Sequence, residues 1–262
     1  MLRKLVGDLA GISHVLGLTY TLRWLAALVV TFPAILATHN LQPADRKMGI
    51  GPFDIRMRRY GVAFRVIGPS AFSGIREMYV RDAYLQRGAL QIRDGDIVLD
   101  FGANMGNFTN LALAHGQRVT VIAVEPGREA ISQCWQSISL NKGFSERVTL
   151  VRAFLGNPGS KQEQMSNEPQ YEDAPCMTES DFIRVTGVAR VDFLKCDIEG
   201  GEFGLLGPDS ELLRMARQLA VEVHAFAGDV EAFIGMIEDS GFEIRHVKRD
   251  PDGTATVLAM RH

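Results

Sequence analysis

The sequence predicts an α/β fold built on a mostly parallel sheet, and three observations predict it. From Asp94 onward, short apolar runs alternate with amphipathic stretches, the rhythm of strands joined by crossover helices. The runs at 97–101 and 119–124 are largely apolar, as strands covered on both faces are, whereas the run at 191–197 ends on charged residues, Lys195 and Asp197. The last two runs, 242–248 and 254–260, are separated by Asp250-Pro-Asp-Gly, a strong turn signal. Strands joined so tightly are antiparallel, so one strand at the end of the sheet should oppose the rest.

Composition limits the alternatives. At 262 residues, 46% apolar and 23% charged, the chain has an ordinary globular mixture and enough length to bury a full core without staples. A net charge of −3 gives no electrostatic reason to bind nucleic acid. Cys134, Cys176 and Cys196 form no C-x-x-C pair. Their odd number argues against a disulfide framework and for a reducing, cytoplasmic compartment, and they are expected as buried small residues.

The elements follow in chain order. Residues 1–37 carry Leu2, Leu5, Leu9, Ile12 and Leu16 at helical spacing. The apolar stretch 24–37 holds Thr31 and Pro33 and is shorter than the roughly 20 residues of a spanning helix. The arm is therefore expected as helices packed on the domain or on a second chain by self-association. A peripheral membrane helix is the next reading, a signal anchor the third, and deleting 1–37 should leave the core intact. Residues 38–48 are polar, with a proline, and read as a linker. Segment 53–67 alternates around Tyr60-Gly61, a hairpin pattern, and its arginines read as a solvated strand face. A helix is expected over 75–88, then strand 97–101, a glycine turn, and a helix to Ala114. Strand 119–124, helix 128–140 and strand 148–154 come next, then a loop over 156–175 and a short helix near 178–186. Strand 191–197, a helix after Gly204, strand 219–224, helix 229–239 and the closing pair complete the chain. The division expected is an arm with linker and hairpin at 1–74 and a domain at 75–262.

The chemistry concentrates where strands end. Asp100-Phe-Gly102-Ala-Asn104-Met-Gly106 lies where the first strand of the domain turns into its helix, the place where open parallel sheets bind ligands. Glycine there lets backbone approach a ligand. Glu125 ends the next strand, 25 residues after Asp100, where an acid accepts ribose hydroxyls. A dinucleotide site wants G-x-G-x-x-G, whereas Gly102 and Gly106 are four apart behind a carboxylate. Asp100 suits a ligand carrying a cationic amine better than a pyrophosphate, and S-adenosylmethionine has such an amine.

With Val124-Glu125-Pro126, Leu140-Asn141 and Lys195-Cys-Asp197-Ile-Glu199-Gly200, this loop resembles the FkbM family of S-adenosylmethionine-dependent methyltransferases. The D-x-E-G element, in register with the others, is the specific part; the glycine loop alone marks only the wider methyltransferase class. The resemblance covers about residues 75–260 and departs at Cys196 and Gly201, neither of which removes a polar group. It implies a Rossmann-like, seven-stranded, mostly parallel sheet of the class I methyltransferase type with a reversed last strand. It also implies S-adenosylmethionine as cofactor and methyl transfer to a hydroxyl of a small-molecule or glycan acceptor, such as a sugar or secondary metabolite.

Asp197, Glu199, Glu222 and His224 are then the catalytic candidates. With a period of two, Asp197 and Glu199 share one face and Glu222 and His224 another. His224 is the candidate base, with Glu222 orienting it, and Asp197 and Glu199 can hold the acceptor or the cofactor's amine. A structural Lys195–Glu222 ion pair is the bland alternative. Magnesium among the three carboxylates is the competing mechanism, although no spacing defines a metal site. Two other functions stay open on the residues: a dinucleotide-dependent oxidoreductase, which the glycine spacing disfavours, and a non-catalytic nucleoside-binding module of the same fold.

Overall fold

The computed structural model describes residues 2–156, 165 and 167–261. Three helices open the chain: α1 (Leu2–Val15), α2 (Leu18–Val30) and α3 (Phe32–Thr38). A fourth, α4 (Gln42–Arg46), stands where a linker was expected, with a proline in its first turn, the one helical position that tolerates it. Strands β1 (Phe53–Met57) and β2 (Val62–Val66) form the expected hairpin, paired from Phe53–Val66 to Met57–Val62.

The helix expected over 75–88 is broken. α5 (Ala71–Gly74) runs on as a π-helix, Ile75–Val80, and stops at Arg81. Asp82, Gln86 and Arg87 then adopt left-handed backbone, which cannot continue a helix. The Asp82 carboxylate holds the break by accepting the Arg87 N–H and the Tyr60 hydroxyl, each at 2.6 Å. This break delivers Tyr84 to the strand ends described below.

The central sheet has seven strands in the order β10-β11-β9-β8-β3-β4-β5. They are β3 (Ile97–Phe101), β4 (Thr120–Val124), β5 (Val148–Val151), β8 (Phe193–Cys196), β9 (Gln218–Val223), β10 (Glu243–Arg249) and β11 (Ala255–Met260). β11 pairs antiparallel with both neighbours and the other pairs are parallel, as the closing turn required. The strand expected over 148–154 divides: Arg152 and Ala153 leave the sheet, and β6 (Phe154–Leu155) pairs with β7 (Cys176–Met177). The loop expected over 156–175 lies partly outside the described residues. The helix expected after Gly204 is two short ones, Glu202–Leu205 and Glu211–Met215. Helices α6 (Asn107–Ala114) and α7 (Arg128–Ser139) match expectation.

Two apolar layers flank the sheet. Leu99, Phe101, Leu194, Val221 and Val257 belong to one. The other runs from Val98 and Phe108 through Phe72 and Phe53 to Trp24 and Ile12, so the arm completes this core. The arm is also tied by charge. Arg76, buried, donates to Asp8 Oδ2 at 2.7 Å and to Asp45 Oδ2 at 2.6 Å, and the Trp24 indole N–H donates to Asp45 Oδ1 at 2.9 Å. The opposite side of α2 and α3 is apolar and exposed at Leu18, Leu22, Leu25, Val29, Phe32 and Leu36. Among the described residues no single helix is long and apolar enough to cross a membrane; α2 and α3 reach that measure only together, across a 71° bend. Cys134 and Cys196 are buried as expected, and Cys176 is exposed.

Candidate active site

The loop after β3 is shaped by backbone rather than by a ligand. Gly102, with φ 75°, sits against the neighbouring strand end, where a Cβ would overlap the Asp197 carbonyl oxygen. Its N–H and that of Ala103 both donate to Val124 O, at 2.9 and 3.0 Å. The glycine is thus demanded by the approach of two strand ends, a tighter constraint than space for a ligand.

Glu125 is the loop's polar anchor. Its Oε2 accepts the Asn104 N–H at 2.9 Å and its Oε1 the Gly127 N–H at 2.8 Å. Burial raises its pKa, partly offset by these two bonds. Each oxygen keeps further lone pairs, and Glu125 lines a cavity of about 330 Å³ with Gly102, Asn104, Asp197 and Glu199. Phe154 and Tyr171 form another part of its wall, their rings 5.7 Å apart. Those two aromatics were missed in the sequence, because only the departure of Phe154 from β5 turns it toward the cavity. A second cavity, about 170 Å³, shares Gly102, Asn104 and Asp197 with the first and reaches Tyr84 and Lys195. A carboxylate fixed by two N–H groups, an open glycine backbone and apolar and aromatic walls fit a nucleoside with its ribose on Glu125.

Asp100 does not reach this space. It is fully buried, accepts the Thr109 hydroxyl at 2.6 Å and pairs with Lys195 Nζ at 3.2 Å. The expectation that it meets a ligand's amine is therefore corrected: a charge neutralised inside the core cannot select a ligand. The proposed Lys195–Glu222 pair is corrected likewise. Asp100 and Lys195 are register partners on adjacent strands, and Lys195 also donates to Phe101 O at 3.0 Å and Gly102 O at 2.6 Å. Burial works to lower the Lys195 pKa, and Asp100 and Asp197 outweigh it, so its ammonium is held above the ordinary value. Lys195 locks the turn from beneath.

The four catalytic candidates do converge at the strand ends. The Tyr84 hydroxyl lies 3.1 Å from Asp197 Oδ2 and 3.3 Å from Glu222 Oε2. One hydroxyl proton cannot serve both carboxylates; burial, then the Asp197 charge, pushes Glu222 up to about 7. Glu199 shares no strand face with Asp197, since its backbone turns left-handed, φ 56°, beyond β8. His224 sits just past β9, 7% exposed, with Nε2 3.7 Å from Glu199 Oε2 and 4.0 Å from Asp197 Oδ1. Its orienting partner is Glu202, not Glu222: Glu202 Oε1 lies 3.0 Å from Nδ1 and accepts the His224 backbone N–H at 2.7 Å. Burial alone would lower the His224 pKa; Glu202, then Asp197 and Glu199, overcome it and hold the imidazole above its ordinary value. Neither cavity is lined by His224 or Glu222; Asp197 lines both and Glu199 the first, and His224 Nε2 lies beside these two carboxylates. Among the described residues no group of three or more His, Cys, Asp or Glu side chains is set to hold a metal ion.

Comparison with known proteins places this geometry. The family model described as "Methyltransferase FkbM domain" matches residues 100–244. The 31-O-demethyl-FK506 methyltransferase FkbM of Streptomyces tacrolimicus is 27% identical over 213 residues, 64% of this chain and 80% of that one. Methyltransferase 1 of Beauveria bassiana is 25% identical over 183 residues, 58% of this chain and 74% of its own. Among solved structures, methyltransferase FkbM of Methylobacillus flagellatus superposes with TM-score 0.50 at 16% identity, covering 91% of this chain and 60% of that one. That likeness is one of fold.

Proposed function

The chain belongs to the FkbM family of S-adenosylmethionine-dependent methyltransferases, and from that premise we propose that it methylates a hydroxyl oxygen of a sugar, glycan or secondary metabolite. The observation that carries the oxygen acceptor is the Glu202–His224 pair, a carboxylate-backed imidazole at the strand ends beside Asp197. A hydroxyl must lose its proton on methylation, and a positioned base contributes about 10²–10⁴-fold. The name of the Streptomyces tacrolimicus relative specifies a 31-O-demethyl substrate, which supports oxygen over nitrogen or carbon.

S-adenosylmethionine, when bound, supplies an electrophilic methyl group. Glu125 would hold the ribose hydroxyls, with the Asn104 and Gly127 N–H groups fixing its carboxylate. Asp197, common to both cavities, would meet the cofactor's amine, while Gly102, packed on the Asp197 carbonyl, and Gly106, packed on Cys134, keep the loop tight. Asp100 and Lys195 position that loop from beneath, with Asp100 lining neither cavity. His224 takes the acceptor proton at Nε2 while Glu202 holds Nδ1. Phe226, exposed and with its ring 5.3 Å from that of His224, offers the acceptor an apolar face. The test is methyl-labelled S-adenosylmethionine with a panel of hydroxyl-bearing sugars and metabolites. Label on oxygen supports the reading; label on nitrogen or carbon, or cofactor binding with no transfer to any of them, overturns it.

For the arm we propose an anionic lipid surface as partner. Between Leu16 and Pro52 the sole acid is Asp45, buried against Arg76, while Arg23, Arg46 and Lys47 are exposed beside the apolar face of α2 and α3. Anionic lipid complements that combination; a second copy would oppose like charges.

A further inference from the structure

A cavity of about 510 Å³ shares no wall residue with the two at the glycine loop. It is bounded by α1, the turn of the β1–β2 hairpin, the segment Arg81–Arg87 and the end of β10. Its charges do not balance. Arg81 is paired with Asp8 at 2.8 Å and Lys248 with Asp250 at 2.7 Å. Arg56, Arg58, Arg59 and Arg87 also line it, and none of these guanidinium groups has a carboxylate partner among the described residues.

One carboxylate in this wall is under-satisfied. Asp82 lines the cavity and is 8% exposed. Its Oδ2 receives the Tyr60 hydroxyl and the Arg87 N–H, whereas its Oδ1 is buried and receives no hydrogen bond. A buried carboxylate oxygen without a donor is costly, and a turn of the Asp82 side chain toward the cavity would offer it a ligand hydroxyl. Guanidinium forks match phosphate oxygens, and the volume falls in the range of small-molecule sites.

We propose that this cavity binds a phosphate monoester bearing free hydroxyls, a phosphorylated sugar or polyol, with the phosphate on the unpaired arginines and a hydroxyl on the Asp82 carboxylate. The segment that presents Asp82 and Arg87 also carries Tyr84, whose hydroxyl reaches Asp197 and Glu222. A ligand here would therefore fix the chain that holds the methyl-transfer carboxylates.

Calorimetry on the full-length protein tests this with glucose 1-phosphate, glucose 6-phosphate, glycerol 3-phosphate, glucose and inorganic phosphate. A phosphate monoester of the panel should bind, at least tenfold more tightly than inorganic phosphate, and glucose should not. Arg58→Ala/Arg59→Ala, two exposed turn positions, should weaken the ester at least tenfold and leave S-adenosylmethionine affinity unchanged. Asp82→Asn should remove the advantage of the ester over inorganic phosphate. No binding by any ester at millimolar concentration, or undiminished binding in the double variant, overturns the proposal. So does binding of vesicles containing phosphatidylinositol phosphate by a protein that binds none of the soluble esters.

Discussion

Glu202 grips His224 through a single carboxylate oxygen, which accepts the backbone N–H at 2.7 Å and faces ring Nδ1 at 3.0 Å. The same side chain takes the Gly200 N–H on its other oxygen at 2.9 Å, so imidazole and the D-x-E-G turn are oriented together. His224→Ala should lower turnover at least about a hundredfold, with cofactor affinity within a few-fold by calorimetry. Unchanged turnover would eliminate His224 as the base.

The pH profile separates His224 from its partner. A base must be neutral to act, so the activity of the wild type should rise with pH through the raised His224 value, above about 6.5. Glu202→Gln keeps an oxygen for the backbone N–H but removes the charge, so its profile should rise at lower pH with a smaller plateau. An unmoved profile would make Glu202 merely structural.

Glu222 gives a stability prediction. Its folded pKa, about 7, stands above its ordinary carboxylate value because of burial and then Asp197. The folded state thus holds a proton that the unfolded state releases from about pH 4 upward, and stability falls as pH rises between about pH 4 and 7. Glu222→Gln should melt higher than wild type at pH 8, by about 2–4 °C per kcal/mol relieved in a chain of this size. The gap should close at pH 4, and a gap independent of pH would refute the assignment.

Glu125→Ala should weaken S-adenosylmethionine binding by about tenfold to several hundredfold, since bonds to a charged group contribute roughly 1.5–3 kcal/mol each. Gly102→Val should abolish binding for a reason that Gly102→Ala isolates. The added Cβ meets the Asp197 carbonyl, so the melting temperature should fall together with affinity, even for the smallest side chain. A Gly102→Ala variant with wild-type melting and binding would contradict the packing of the two strand ends.

Removing Arg76 should strand Asp45 and part of the Asp8 carboxylate inside the core. Breaking a buried pair costs about 3–5 kcal/mol, measurable for Arg76→Met by denaturant unfolding. For the same reason the expectation of a freely removable arm changes: deletion of 1–37 uncovers Phe53 and Phe72 and should aggregate. Lipid docking is tested instead by Leu22→Asp/Val29→Asp, which should abolish sedimentation with phosphatidylglycerol vesicles while folding is kept. Retained sedimentation, or self-association of the wild type lost in this variant, would overturn it.

The sheet was legible because its strands announce themselves: apart from Asp100, 97–101 is apolar without alternation, as is 121–124, and the Asp250 turn dictates the antiparallel partner. The roles of the charged residues were not. Asp100 and Lys195 are 95 positions apart and meet only through the register of β3 with β8. Glu202 sits in a Gly-Gly-Glu stretch that looks like a solvated helix start; its burial depends on the chain turning back under β9. Period-two reasoning failed at Glu199 because the strand had already ended at Cys196.

The bond from the Trp24 indole to Asp45 makes the arm optically visible. The chain has two tryptophans; Trp24 is fully buried and Trp135 is 47% exposed. Iodide should quench Trp135 and leave a blue-shifted, protected emission from Trp24. Loss of that protected fraction would report the helices lifting from the core before the sheet unfolds, so the arm's attachment can be followed in the unlabelled protein.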